Sequence, residues 1–220
     1  MDRIEDRERR GELAAYLPGI SARRFSDFLL FGVTAVELVI LLRMTSTFGI
    51  ADWIYVSQHL IVFAIALTRP APAALDRSLT TALAVAVSYA YTYAQVIYLR
   101  WVPGYEAWPT IGLVLVTLSA FLSCASLLTL GRSFGVRPAL RDVVTSGPYR
   151  FVRHPIYLAY VIGDIGYNLE EWNVGTVLMV LIGWAALLWR IRAEDRVLSQ
   201  DPQWSNYVAS VPYRLFPGMW

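Results

Sequence analysis

The chain has 220 residues, of which 56% are hydrophobic and 16% are charged. Soluble globular domains carry about 25% charged residues, so the composition argues against a chain of ordinary soluble domains. The formal net charge of +2 gives no support to nucleic-acid binding. We therefore expect an all-α, polytopic integral membrane bundle.

The first 24 residues mix acidic residues with Arg and contain no apolar core, which argues against a signal peptide. Six apolar segments follow, and the predicted spans are Phe28–Phe48, Trp53–Thr68, Leu79–Leu99, Pro109–Leu130, Ile156–Leu169 and Val174–Trp189. The fifth is short enough to be either a tilted span or half of a re-entrant hairpin with the sixth. We divide the chain into an N-terminal cytoplasmic segment (1–25), a transmembrane region (26–130) and a C-terminal region (131–220).

Charge supports this topology independently. The chain has no Lys, and all 19 basic residues are Arg. If the N-terminus is cytoplasmic, every Arg except Arg43 and Arg100 falls on the cytoplasmic side. The positive-inside rule then predicts that both termini are cytoplasmic and that the number of crossings is even. A Lys-free composition is typical of a high-GC bacterial gene, which favours a bacterial inner membrane.

Several chemistries lack the residues they need. Cys124 is the only Cys, which excludes a disulfide within the chain. His59 and His154 are the only His residues and lie on different segments, so we predict no metal site. No Gly-rich phosphate loop follows a plausible strand. For Glu37 and His59, which are isolated in apolar spans, we expect structural pairing.

Polar side chains form helical stripes inside two spans. In the fifth span they follow spacings of three and four and comprise Tyr157, Tyr160, Asp164, Tyr167 and Asn168. The third span has a similar stripe of Ser88, Tyr91, Thr92, Gln95 and Tyr98. Such stripes are either interhelical hydrogen-bonding contacts or cavity walls. We favour contacts for the third span and a cavity wall for the fifth.

The fifth stripe begins at a basic cluster in the sequence TSGPYRFVRHPIYLAY. Pro155 fits the first turn of a helix, so Arg153 and His154 would lie at a helix N-terminus, where backbone N–H groups favour an anion. The alternative is an ordinary positive-inside loop. The tail adds an acidic pair, Glu194 and Asp195. Asp201 and Pro202 then predict the start of a second short helix, which carries Trp204 and Tyr207.

The segment GPYRFVRHPIYLAY, followed by AEDRVL and then NYVASVPYRLFP, resembles the isoprenylcysteine carboxyl methyltransferase family and its relatives among membrane phospholipid and thiol methyltransferases. The similarity covers roughly residues 130–217. Two positions depart from the family pattern. Asp195 stands where the family usually has a second Glu, and Ala159 stands where it often has Gly.

The resemblance implies a catalytic methyltransferase region at 131–220, S-adenosyl-L-methionine as the methyl donor, and a lipidic or amphiphilic acceptor that enters from the bilayer. The implied cofactor-binding residues are Tyr149, Arg153, His154, Pro155, Tyr157, Glu194 and Asp195. For catalysis we expect Tyr157, Asp164 and Arg214, and for acceptor binding Tyr160, Tyr167, Asn168 and Tyr207. A carboxylate or thiolate acceptor needs no base, whereas an amine needs Asp164, Glu194 or a Tyr to take its proton.

Three other functions stay open at this point. A membrane sterol or steroid reductase using NADPH would share the topology and a cytoplasmic C-terminal pocket. A transporter would use the intramembrane residues Asp164, Glu37 and His59 as a relay, although no pair of broken helices recurs in the two halves. A membrane scaffold would leave the motif pair unexplained.

Overall fold

A computed structural model describes residues 50–218 apart from 71, together with residues 32, 35, 36 and 39. The N-terminal segment, Glu37 and most of the first predicted span lie outside the described residues. In the described part the chain is an all-α membrane bundle, as the sequence predicts. Its helices are α1 (Ile50–Thr68), α2 (Leu79–Trp101), α3 (Pro109–Leu130), α4 (Pro155–Glu170), α5 (Val174–Leu198) and α6 (Pro202–Ser210).

Each predicted span from the second to the sixth is a helix in the structure. Among the described residues, three helical stretches are long and apolar enough to cross a bilayer, namely Leu79–Trp101, Pro109–Ser133 and Val174–Leu198. α4 has only 16 residues. α5 extends beyond the predicted limit at Trp189, because nothing between Arg190 and Leu198 interrupts a helix.

The helices begin where local chemistry favours a start. Pro109, Pro155 and Pro202 each occupy the first turn of a helix, where a missing N–H group costs nothing. Before α5, the Asn173 side chain accepts a hydrogen bond of 2.8 Å from the Gly175 N–H. Asp201 caps α6 in the same way through the Gln203 N–H, which confirms the predicted start of that helix.

α3 and α4 pack closely and antiparallel, through small residues. A Cβ atom built on Gly112 would lie 2.6 Å from the carbonyl oxygen of Gly166. Two turns beyond, the Ser119 hydroxyl donates a 2.7 Å hydrogen bond to the carbonyl of Ala159, which is fully buried. Ala159 therefore lies where the two helices are too close for a larger side chain.

α2 and α5 form a second antiparallel pair, joined by polar contacts. The Gln95 side chain donates to the Thr176 carbonyl, and Tyr91 packs against Gly183, where a Cβ atom would lie 2.5 Å from the ring. These contacts confirm the prediction that the polar stripe of the third span joins helices.

Four segments meet at one end of the bundle, which we call the basic end. They are residues 69–78, residues 131–154, the last turns of α5, and α6 with the tail to 218. Two-residue strands, β1 (Ala74–Leu75) and β2 (Ala139–Leu140), pair antiparallel there and join the first two of these segments. The main buried apolar cluster lies next to them. It includes Ile65 of α1, Leu127 of α3, Ile191 of α5 and Leu215 of the tail.

Candidate active site

A cavity of about 820 Å³, its open mouth included, lies at the basic end. Its walls come from the segment 130–144, the start of α4, the last turns of α5, and α6. The residues predicted to bind cofactor or acceptor that line the cavity are Tyr149, Arg153, His154, Tyr157, Tyr160, Glu194 and Tyr207.

His154 and the acidic pair of α5 form the centre of this wall. Nε2 of His154 lies 2.9 Å from Oδ1 of Asp195, and Nδ1 lies 3.5 Å from Oε2 of Glu194. His154 and Glu194, which are 40 positions apart in the sequence, are thus direct neighbours. The predicted convergence of the two motifs is confirmed.

Asp195 also binds two Arg side chains. Nε of Arg214 donates to Oδ2 of Asp195 at 2.6 Å, and the Arg153 guanidinium approaches the same oxygen at 3.5 Å. Arg153 and His154 are both buried, so the carboxylate of Asp195 compensates positive charge away from water. Asp195 therefore holds α4, α5 and the tail together at the cavity.

Glu194 faces Tyr157, whose hydroxyl group donates a hydrogen bond to its carboxylate. The ring of Tyr157 also stacks on the imidazole of His154, with 5.7 Å between centroids. Burial lowers the pKa of His154, but its hydrogen bonds to Asp195 and Glu194 more than offset this effect, so the pKa lies above its ordinary value. The imidazole consequently favours the protonated form.

The expected anion site at the start of α4 differs from what the structure shows. The N–H of Arg153 donates to the Tyr213 carbonyl at 2.9 Å, and the N–H of His154 donates to the Arg214 carbonyl at 3.0 Å. Pro155 has no N–H group. These groups are occupied by the tail, and both His154 ring nitrogens face protein carboxylates. The start of α4 is therefore a docking point for the tail.

α6 closes one side of the cavity. Trp204 and Tyr207 are buried and pack edge to face. The Tyr207 hydroxyl donates a 2.7 Å hydrogen bond to the Tyr149 carbonyl. The Arg153 guanidinium lies 5.9 Å from the Trp204 ring centroid. These contacts fix the wall that the tail contributes.

The polar stripe of α4 divides into two parts. Tyr157 and Tyr160 line the cavity, whereas Asp164, Tyr167 and Asn168 are not among its lining residues. Asp164 accepts hydrogen bonds from the Tyr91 hydroxyl at 2.9 and 3.0 Å and from the Trp184 indole at 2.7 Å. It therefore joins α4 to α2 and α5.

Asn168 lies one turn beyond Asp164 on α4. Its Oδ1 accepts a 2.7 Å hydrogen bond from the Thr176 hydroxyl, and its amide donates to the Asp164 carbonyl. This bonding also connects helices. The sequence predicts that the whole stripe forms a cavity wall. In the structure only its first turns, with Tyr157 and Tyr160, line the cavity.

Sequence reasoning missed Arg190, because it was counted only as one of the topology-setting Arg residues. It is 3% exposed and lines the cavity. Its position one turn before Glu194 places both on one face of α5, and this spacing was the available signal. The lining residues that the sequence also did not single out include Tyr89, Phe134, Gly135, Arg137 and Arg141.

Three cavity-lining Arg residues have a side-chain nitrogen that is buried and lacks a hydrogen-bond partner. These atoms are the Nε atoms of Arg137, Arg153 and Arg190. Glu194 is the only carboxylate residue among the lining residues, so the cavity wall carries an excess of positive charge. Such a wall can hold an anionic group.

Comparison with known proteins agrees with this site. Residues 110–200 match the model of the isoprenylcysteine carboxyl methyltransferase (ICMT) family. That match contains all of α4 and α5, all of α3 except Pro109, and the segment between α3 and α4. It includes His154 and the acidic pair, although α6 and the tail lie beyond it.

Curated relatives extend the similarity. The chain is 26% identical over 179 residues to protein-S-isoprenylcysteine O-methyltransferase B of Arabidopsis thaliana, covering 77% of this chain and 91% of that protein. It is 30% identical over 108 residues to protein-S-isoprenylcysteine O-methyltransferase A of the same plant, covering 46% of this chain and 55% of that protein. A nickel-cobalt-cadmium resistance protein of Alcaligenes xylosoxydans xylosoxydans is 25% identical over 155 residues, covering 64% of this chain and 68% of that protein. Over residues 110–200, this chain is similar to the isoprenylcysteine carboxyl methyltransferase family.

Proposed function

We propose that this methyltransferase takes its methyl group from S-adenosyl-L-methionine and transfers it to a lipidic or amphiphilic acceptor at the cytoplasmic face of the membrane. The observation that carries the proposal is the contact between the two motifs. His154 lies between Glu194 and Asp195 on the wall of a cavity at the end of a membrane bundle.

The chemistry of the wall fits the donor. S-adenosyl-L-methionine carries a carboxylate, which suits the guanidinium groups of Arg137 and Arg153 on the cavity wall. Its sulfonium and ammonium groups are cations, which suit the carboxylate of Glu194. Its adenosine requires apolar and aromatic surface, which α6 provides.

When bound, the donor supplies an electrophilic methyl carbon, whose bond to sulfur breaks as the acceptor's nucleophilic atom bonds to that carbon. The protein contributes mainly alignment, because such in-line displacements gain much of their rate from positioning. The hydrogen bond to Glu194 and the stacking on His154 fix the orientation of the Tyr157 ring, which can then help to position the reacting groups.

The acceptor's nucleophile is a carboxylate, an amine or a thiol. A carboxylate or thiolate becomes a neutral ester or thioether without any proton transfer. An amine must lose a proton, and Glu194 is then the base at the cavity wall. We place Tyr157 beside the reacting groups and Tyr160 and Tyr207 along the acceptor's path. Catalytic roles for Arg214 and Asp164, and acceptor contacts at Tyr167 and Asn168, stay predictions from sequence.

Both termini and the segment 131–154 lie in the cytoplasm in this proposal, in a bacterial inner membrane. The test uses a Cys124→Ser background and an impermeant maleimide on intact cells. We expect no labelling of Asp142→Cys at the basic end and strong labelling of Glu106→Cys at the other end. Both positions are exposed, so reversed labelling would overturn the orientation.

Calorimetric titration of S-adenosylhomocysteine into the purified protein tests the donor. His154→Ala and Glu194→Ala should each weaken its affinity about tenfold or more, since a charge-assisted hydrogen bond contributes roughly 1.5–3 kcal/mol. Arg196→Gln is the control, because this exposed residue lies on the same helix. Wild-type protein that binds NADPH and not S-adenosylhomocysteine would refute the proposal.

The acceptor is identified by incubating the protein with isotope-labelled S-adenosyl-L-methionine and a membrane lipid extract. Mass analysis of the labelled product then distinguishes a methyl ester, a methylamine and a methyl thioether. We expect the label in a lipidic or amphiphilic product. Label that appears only in large water-soluble molecules would contradict an acceptor that enters from the bilayer.

A further inference from the structure

The outer face of α5 carries a stripe of exposed side chains that the proposed reaction does not use. Its members follow spacings of three and four residues, which place them along one side of the helix. All of them are exposed, and they are Leu178, Ile182, Ala185, Trp189, Arg192 and Arg196. The stripe is apolar as far as Trp189, and it ends with the two Arg residues. A lipid-facing surface therefore changes to a cationic one within two turns of the helix.

This stripe lies on the opposite side of α5 from the cavity. Arg190 and Glu194 line the cavity. Arg192 and Arg196 each follow one of these residues by two positions, which corresponds to about 200° around the helix axis. The two pairs of side chains thus point in nearly opposite directions. A ligand on the outer stripe is therefore bound outside the cavity.

Position along the helix indicates which part of the bilayer the two Arg residues reach. Trp172, just before α5, and Trp189 are both exposed, and about 25 Å of chain in helical rise separates them. This distance approaches the roughly 30 Å thickness of a hydrocarbon core, and Trp is typical of the two boundaries of that core. Arg192 and Arg196 lie about 4.5 Å and about 10 Å beyond Trp189. They therefore lie at the depth of the lipid headgroups.

The charge around this surface is complementary to an anion. Among the described residues of the basic end, the exposed charged side chains are one carboxylate, at Asp142, and five guanidinium groups, at Arg77, Arg132, Arg150, Arg192 and Arg196. The last two are one turn apart, so they are neighbours on the helix surface and both can reach one phosphate group. The pair is therefore suited to a phosphate at the membrane surface.

We propose that the outer stripe of α5 binds an anionic phospholipid, whose phosphate is held between the guanidinium groups of Arg192 and Arg196. The Trp189 indole packs at the level of the lipid's glycerol backbone, and an acyl chain lies along Ile182 and Leu178. This site goes beyond the proposed function, because the bound lipid is a partner outside the cavity and not the methyl acceptor. It anchors in the membrane the same turns of α5 that carry the acidic pair of the cavity.

Native mass spectrometry of the purified full chain tests this proposal. The protein is released from micelles that contain equal amounts of anionic dioleoyl phosphatidylglycerol and zwitterionic dioleoyl phosphatidylcholine. Because each basic residue near a membrane surface contributes about fivefold to affinity for anionic lipid, the first phosphatidylglycerol should bind about tenfold or more tightly than phosphatidylcholine. The preference should fall as the salt concentration rises, since contacts at the membrane surface are screened.

The double variant Arg192→Gln with Arg196→Gln should bring the two lipid affinities to within about twofold of each other. Arg192→Gln alone should lower the preference about threefold or more, and it provides the test if the double variant fails to fold. Arg100→Gln is the matched control and should keep the preference. Arg100 is also an exposed Arg next to an exposed Trp, Trp101, but it has no second Arg one turn away. Trp189→Ala should weaken the binding of both lipids equally.

Several results would overturn the proposal. Equal affinity of the wild type for both lipids is one, and an unchanged preference in both Arg192→Gln and the double variant is another, because the lipid would then bind elsewhere. A wild-type dimer that the double variant separates into monomers would assign this face to a second copy of the chain. Soluble glycerol phosphate should not displace the lipid, since it lacks an acyl chain. Displacement at equal concentration would show that free phosphate, and not a lipid, occupies the Arg pair.

Discussion

Nε2 of His154 and Oδ1 of Asp195 lie 2.9 Å apart, and this contact joins the start of α4 to the last turns of α5. Neither helix leads directly into the other at this end, because their short connection at residues 171–173 lies at the opposite end of the bundle. The contact therefore fixes the distance between the two helices at the wall of the cavity.

Removing the shared carboxylate should destabilise the protein. In Asp195→Ala the buried Arg153 loses the one carboxylate with which it pairs among the described residues, and breaking a buried ion pair costs about 3–5 kcal/mol. Because Asp195 keeps some contact with solvent, we expect about 3 kcal/mol in unfolding free energy. Chemical denaturation in detergent measures it. Asp142→Ala, at an exposed site of the basic end, is the control, and equal losses in both variants would contradict this role.

Stability should depend on pH through His154. Its pKa is raised above the ordinary value of 6.5, so its contribution is complete below that pH and is lost as the pH rises through the folded value. Glu194 and Asp195 face the imidazole, and Arg153 and Arg214 bind the same Asp195.

The measurement compares melting temperatures of the wild type and His154→Gln across the neutral range. The wild type should exceed the variant most at acidic to neutral pH, and the difference should shrink as the pH rises. A difference that grows with pH would show that the neutral imidazole is the stabilising form.

Close packing of α3 on α4 should make Gly112 intolerant of a side chain. A Cβ atom there would lie 2.6 Å from a backbone oxygen of Gly166, which cannot rotate away. Gly112→Ala should therefore cost about 1–3 kcal/mol, the usual range for overpacking. Ala125→Val adds volume at an exposed position of the same helix and should cost much less. Similar melting temperatures for both variants would refute the close contact.

Asp164→Asn distinguishes a helix-joining residue from a catalytic one. The carboxylate accepts the single Tyr91 hydroxyl proton, which lies between its two oxygens, and the Trp184 indole N–H; in the amide, an NH2 group replaces one of these accepting oxygens. We expect a lower melting temperature, S-adenosylhomocysteine affinity within about twofold of the wild type, and activity that follows the folded fraction. Reduced turnover with an unchanged melting temperature would instead support catalysis.

The sequence was most informative where a chemical rule acts locally. Pro155, Pro202 and Asp201 marked helix starts because proline and a capping side chain act within one turn. The motif pair also predicted that His154 would meet Glu194 and Asp195. Apolar length located the helices from α1 to α5, although it placed the end of α5 too early.

Features that depend on tertiary contacts could not be predicted in this way. An anion was expected at the start of α4, but the tail carbonyls of Tyr213 and Arg214 accept hydrogen bonds from the N–H groups of Arg153 and His154 there. Arg190 looked like one more topology-setting charge until its burial was known. The stripe on α4 has one helical period, yet only its first turns reach the cavity, since the rest packs against α2 and α5.

The tail contacts affect how the protein matures. Leu215 belongs to the main apolar cluster, and the carbonyls of Tyr213 and Arg214 pair with the start of α4. These residues follow every described membrane helix in the chain, so a ribosome delivers them after the helices have been made. The cavity wall can therefore close only once synthesis has passed residue 215. A nascent chain arrested before that point would hold inserted helices without a complete cavity wall.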